Sequence, residues 1–146
     1  MANMENKRKG TICLTFDFDA VSIWIQREMT SMSSMSRGEF GVTAVPRILH
    51  MLRKRNITCT WFIPGHTIET YPDVCRMIAD DGHEIGLHGY THENFNVLSA
   101  EEEWEILRRT FAIAENFTGE KPKGFRSPSW DVSSRTIENL ERLGIV

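Results

Sequence analysis

The chain has 146 residues, a length that suits one domain and can bury a core without disulfides or structural metals. Its net charge of −3 argues against nucleic acid as the main partner, because phosphate binding calls for a basic surface. No run reaches the roughly 20 apolar residues of a membrane span, and the three cysteines, widely spaced, form neither a disulfide framework nor a zinc-finger pattern. Residues 1–10 are polar and read as a disordered tail in which Lys7-Arg8-Lys9 is a solvated run. No apolar stretch follows that start, so no secretory leader is expected and the cytoplasm is the default location.

Residues 11–18 alternate, with Ile12, Leu14, Phe16 and Phe18 on one face and Cys13, Thr15 and Asp17 on the other. This predicts a strand, with Asp19 continuing the second face so that both carboxylates lie on one side near its C-terminal end. Cys13 and Cys59 sit in apolar runs and are expected to be small buried hydrophobes. Residues 20–42, rich in Ser, Met and Gly, are too long for a connector and predict a functional loop or lid. Thr43 caps a helix to about Arg55, with Val45, Ile48, Leu49 and Leu52 inward and His50 on its surface. Ile57 to Ile63 predicts a second strand, ended by Pro64-Gly65. Pro72 opens a second helix with Val74, Met77 and Ile78 inward and Gly82 at its end. His83 to Leu87 is a third strand. Ser99-Ala100-Glu101-Glu102 is a capping box that starts a third helix carrying Trp104, Leu107, Phe111 and Ala114, stopped by Gly119 and Pro122. Gly124 to Arg126 predicts a fourth strand, and Ser133 or Ser134 a fourth helix with Ile137, Leu140 and Leu143 inward and Gly144 as its stop. Strands alternating with helices imply a parallel sheet with helices packed outside it. Ile145-Val146 reads as the start of a further strand, so the chain is expected to be cut short of a complete sheet.

In parallel α/β architectures, active residues gather at the carboxyl ends of strands. Asp17 and Asp19 end the first strand, His88 and His92 lie at and just after the end of the third, and Arg126 ends the fourth. A lone Asp-x-Asp is usually a turn or capping device, and a lone His-x-x-x-His is more often incidental than a ligand pair. Together on neighbouring strand ends they make a hydrolytic metal site. Imidazoles and one carboxylate can hold a divalent cation that lowers the pKa of water to about 7, and a second carboxylate can take the proton. Zinc suits such a set, and iron, cobalt, nickel and manganese are open alternatives. His66, just after the second strand, and Trp130, in the loop after the fourth, are candidate substrate-binding residues. Trp61, Phe62 and Trp104 are expected in the core.

At these residues the chain resembles the polysaccharide deacetylase family, also called the NodB-homology or carbohydrate esterase 4 family. The family's three motifs read here Thr15-Phe16-Asp17-Phe18-Asp19, His88-Gly89-Tyr90-Thr91-His92 and Arg126-Ser127-Pro128. Phe18 between the aspartates departs from the commonest form. It is similar to a branch containing cytoplasmic cyclic-imide hydrolases, allantoinase-like enzymes and peptidoglycan-deacetylase-like proteins, as are Trp61 to His66 and Gly82 to Asn94. The resemblance implies that 11–146 is the N-terminal part of a distorted parallel (β/α) barrel. It implies that Asp17 is the general base, that Asp19, His88 and His92 hold the metal, and that Arg126 tunes the base. It implies a hydrolase of non-peptide C–N bonds that deacetylates N-acetylated amino sugars or opens cyclic amides, on a small-molecule or carbohydrate substrate. The late family motifs, including the histidine that serves as general acid, are absent. An incomplete barrel with weak or no turnover is therefore expected, and its open sheet edges would favour self-association into a homo-oligomer. The competing reading is a non-catalytic fragment that binds carbohydrate or a partner chain.

Overall fold

A computed structural model describes residues 10–145. Three parallel strands lie in the order β1 (Thr15–Asp17), β2 (Thr60–Ile63) and β3 (Glu84–Leu87). Around them run α1 (Ser22–Gln26), α2 (Met32–Arg55), α3 (Gly65–Thr70), α4 (Pro72–Asp80), α5 (Ala100–Thr118) and α6 (Thr136–Arg142). The register sets two rows apart. Phe16, Trp61 and Ile85 stand together on the face that packs against helices, where Trp61, Ile63, Ile85 and Leu87 are buried. Phe16 and Trp61 stack there with ring centroids 4.7 Å apart. Asp17, Phe62 and Gly86 form a row on the opposite face. The alternating parallel α/β plan is the expected one.

The first strand is shorter than its alternation predicts. Pairing starts at Thr15, and the last bond before it runs from the Thr60 amide to the Leu14 carbonyl at 3.4 Å. Ile12 is 85% exposed and Leu14 is exposed too, both before the paired residues; Cys13 is exposed against its expected burial, and Cys59 is buried as expected. Alternation marks two faces, but a strand also needs a ladder partner, and among the described residues β1 pairs with β2 alone. The fourth strand shrinks to one bridge, Leu87 with Phe125, made by the Leu87 amide to the Gly124 carbonyl and the Arg126 amide to the Leu87 carbonyl.

Residues 20–42 are largely helical instead of a loop. They form α1 and the opening turns of α2, which begins at Met32, with Ser31 as its N-cap accepting from the Ser34 amide, well before Thr43. Hydrophobic periodicity missed these turns because their buried face is made of Ser34 and Gly38. A Cβ on Gly38 would lie 2.7 Å from Val21 Cα, so backbone meets backbone at that contact. The helix then buries Val45, Leu49 and Leu52, accommodates Pro46, and ends at Asn56 in the left-handed region after Arg53, Lys54 and Arg55, which complement its dipole.

The short α3 directly after Pro64 was not foreseen. In α4, Cys75 is buried with Val74 and Ile78, while Met77 turns outward; Gly82 follows with φ 78°. The capping box of α5 forms as read, with Glu102 and Ser99 bonded reciprocally, and Gly119 (φ 78°) closes the helix. Leu107 and Ala114 are buried, whereas Trp104 and Phe111 are half-buried. In α6, Leu140 is buried and Leu143 half-buried, but Ile137 is exposed. What anchors α6 is polar: the buried Glu103 of α5 accepts from Ser133 Oγ at 2.6 Å and Thr136 Oγ1 at 2.8 Å. No described helix is long and apolar enough to cross a membrane. The predicted tail, save Gly10, and Val146 lie outside the described residues.

Gly38→Ala should therefore lower the unfolding free energy by about 1–3 kcal/mol through overpacking. In urea titrations this appears as a lower midpoint at unchanged slope. An unchanged midpoint would contradict the close approach of α2 to Val21.

Candidate metal centre

Asp19 sits two residues past β1, where pairing persists through the Phe18 amide to the Phe62 carbonyl at 3.0 Å and the chain then turns at Ala20 (φ 48°). Its carbonyl is fixed by the Ser22 amide at 2.9 Å and by the buried Thr67 hydroxyl at 2.7 Å. His88 follows β3 directly and is 2% exposed. Its Nδ1 lies 2.7 Å from the Arg126 carbonyl, which can only accept, so the proton sits on Nδ1 and the Nε2 lone pair is free. That Nε2 is 3.5 Å from Asp19 Oδ1, and His92 Nε2 is 3.9 Å from Asp19 Oδ2. The imidazoles stand nearly perpendicular, with centroids 5.0 Å apart. One donor atom from each of Asp19, His88 and His92 falls within 4.8 Å of the others.

The electrostatics fit a cation. Desolvation raises the Asp19 carboxyl above the ordinary carboxylate range, against the pull of His88 and His92. Desolvation also lowers the His92 pKa, which keeps that imidazole neutral near pH 7, the form that ligates. Asp19 Oδ1 is buried with no hydrogen-bond partner. An orphaned carboxylate oxygen beside two imidazole nitrogens is a donor set suited to a divalent cation of the zinc class.

Beside this trio stands an ion pair. Arg126 donates from Nη1 to Asp17 Oδ1 and from Nη2 to Thr15 Oγ1, the latter at 2.6 Å. Its guanidinium carbon lies 4.3 Å from the Phe62 ring centroid and 5.3 Å from that of Trp130. Phe62 is half-buried beneath that charge instead of in the core. Trp130 is 79% exposed, on a turn where Ser129 and Trp130 both take positive φ, so it neighbours Arg126 without enclosing anything. The imidazole of His66 is half-buried; its recorded contacts are Ser22 Oγ at 3.0 Å, Thr70 Oγ1 at 3.5 Å and the edge of Tyr90. It is linked to Asp19 indirectly through Ser22, whose amide donates to the Asp19 carbonyl and whose hydroxyl meets Thr67, a second donor to that carbonyl. Thus Asp17, Asp19, His88, His92 and Arg126 converge, Trp130 adjoins them, and His66 stands one layer back.

Residues 4–146 match the family model for polysaccharide deacetylase. The chain belongs to that family. It is 40% identical, over 97% of its length, to a peptidoglycan deacetylase-like protein of Gibberella zeae. It is 39% identical, over 88% of its length, to a peptidoglycan deacetylase of Helicobacter pylori. A crystal structure assigned to a polysaccharide deacetylase of Mycobacterium smegmatis superposes on 91% of the chain with a TM-score of 0.86 at 35% identity. The chain spans about half the length of these relatives, covering 44%, 45% and 48% of them. Its fold is accordingly part of the deacetylase (β/α) barrel.

In this chain the loop between the two histidines is built around Glu93, whose role has no signature in residue spacing. The buried Glu93 carboxylate accepts from the Tyr90 amide at 2.8 Å, and from the Thr91 amide and hydroxyl at 2.7 Å each. Gly89 (φ 68°) makes room for it: a Cβ there would lie 2.7 Å from Glu93 Oε2. The unforeseen α3 completes the clasp, since its first amides have no helical partner and donate instead to the Gly89 carbonyl (3.0 Å, from Gly65) and the Tyr90 carbonyl (2.9 Å, from His66). Removing the strut by Glu93→Ala should weaken divalent-metal affinity by about 10- to 100-fold, the usual cost of losing a group that orients ligands. Chelator competition measures it; affinity equal to wild type would show that the loop holds its shape without Glu93.

Proposed function

We propose that this chain carries the metal-binding and base-bearing half of a hydrolase that removes N-acetyl groups from amino sugars. The observation that carries the reading is the juxtaposition of two carboxylates with different surroundings. Asp19 has a buried, unpartnered oxygen beside His88 and His92, while Asp17 is exposed and held by Arg126. Asp19, His88 and His92 would hold the divalent cation, zinc by preference for this donor set. When bound, such a cation supplies Lewis acidity toward an acyl oxygen and makes water a stronger acid.

Asp17 is the proton acceptor in this reading. Its Oδ1 is taken by Arg126, which orients the carboxylate. Oδ2 then accepts the proton of the attacking water. Arg126 ties base and ligand together, because its side chain holds Asp17 while its carbonyl holds His88. The exposed indole of Trp130, next to Arg126, offers an apolar face for a sugar ring. Family membership supports acetylated amino sugars of the peptidoglycan or chitin kind; a cyclic amide is the second substrate class to assay. The competing reading, a non-catalytic binding module, has no use for a carboxylate base beside three metal donors.

The test separates ligand from base. Asp19→Asn and His92→Ala should each abolish near-stoichiometric metal binding in a chain that stays folded. Asp17→Asn should retain the metal and lower turnover of an acetylated amino sugar by about 10²- to 10⁴-fold, the usual worth of a general base. Loss of metal on Asp17→Asn, or full retention in Asp19→Asn, would reverse the assignment.

A further inference from the structure

Phe62 is an aromatic ring on the polar face of the sheet. The register places it between Asp17 of β1 and Gly86 of β3, and side chains in such a row project to the same face. Thr15, Thr60 and Glu84 share that face, and the Thr60 hydroxyl donates to Glu84 at 2.5 Å. The ring is seated in space that two glycines leave open. A Cβ on Gly86 would come within 2.7 Å of Phe62 Cδ1 and Cε1, and one on Gly124 within 3.6 Å of Cε1. The Arg126 guanidinium rests over this ring at 4.3 Å while reaching Asp17 and Thr15.

We infer that Phe62 is a positioning residue for the base: its ring is the surface on which Arg126 is laid so that the guanidinium meets Asp17. An arginine side chain has many rotamers, and two hydrogen bonds to β1 alone leave the tilt of its plane free. Stacking on a ring removes that freedom. The attraction is electrostatic as well as steric, since the face of an aromatic ring carries the negative part of its quadrupole. An aliphatic side chain of similar volume fills the seat and has no such face. Trp130 does not substitute, because its ring is farther away, solvent-exposed and borne on a turn. The catalytic consequence rests on the proposed role of Asp17; the placement of Arg126 does not.

The experiment uses the whole chain, labelled with ¹⁵N and ¹³C. In the wild type, nuclear Overhauser contacts should join the Phe62 ring protons to the Arg126 side chain, and the Arg126 Nε–Hε resonance should carry a ring-current shift. Phe62→Leu and Phe62→Met should both move that resonance toward the position of a free arginine. Each should lower kcat roughly tenfold, the kinetic equivalent of a cation–π contact between the exposed and the desolvated limits, with KM and metal content unchanged. Phe62→Tyr, which keeps the ring face, should restore the shift and kcat. Absence of the wild-type contacts overturns the inference, and that result needs no variant to fold. So does an unmoved Arg126 resonance in either aliphatic variant, or a Phe62→Tyr chain as impaired as Phe62→Leu. Turnover on acetylated sugars, expected to be weak or absent in an incomplete barrel, bears on the proposed function alone, because the Arg126 resonance decides what Phe62 does.

Discussion

Backbone pairing between β1, β2 and β3 leaves no choice about which side chains share a row. Side chains alternate along a strand with a period of two, so shifting β1 by one residue would carry Asp17 to the helix-facing side and Phe16 to the polar one. That slip would bury a carboxylate among Trp61, Ile63 and Leu87 with nothing to pair it, while wetting an aromatic ring. The apolar layer under the helices and the polar layer above it therefore enforce each other. Asp17 meets Arg126, and Asp19 comes level with the histidines, because Phe16 must stack on Trp61.

A second constraint is electrostatic. A half-buried carboxylate with an orphaned oxygen, next to two largely buried imidazoles, is an unfavourable arrangement for folding alone. Structural ion pairs elsewhere in the chain look different. Glu103 is fully buried, yet Ser133 and Thr136 donate to its two oxygens and Arg135 lies 3.4 Å away. Glu93 is buried and accepts three hydrogen bonds. Both acids are saturated by the fold; Asp81 Oδ2 also lacks a hydrogen bond but lies 3.2 Å from Arg53 Nε, whereas the unpartnered oxygen of Asp19 faces imidazole nitrogen.

Much of this was legible from residue order. The alternation of strands and helices, the capping box at Ser99 and the convergence of Asp17, Asp19, His88, His92 and Arg126 all follow from periodicity and from where strands end. The parts that were not legible share a physical cause, which is that they depend on partners remote in sequence. The opening turns of α2 bury serine and glycine, so they leave no apolar stripe to read. Ile12 and Leu14 alternate correctly but lie before the first paired residue of β1 and lack cover. Phe62 has the composition of a core residue, and only the register reveals that it faces the arginine. Glu93 sits next to a recognisable motif, yet its function is to accept backbone N–H groups that become adjacent only once Gly89 has turned.

The internal strut of the histidine loop has a consequence for how a cation would be chosen. In a zinc finger the ion and the fold arrive together, so the metal is captured at the moment of folding. Here the Glu93 carboxylate and the amides of α3 brace the loop by hydrogen bonds, and the Arg126 carbonyl fixes the His88 tautomer. In the proposed metal-binding reading, a loop braced in this way would fold before loading. A cation entering such a seat would stay exchangeable, and competition among first-row metals would follow their intrinsic affinities weighted by supply. The occupant would report the metal pool around the enzyme, and could change with it while the polypeptide stays the same.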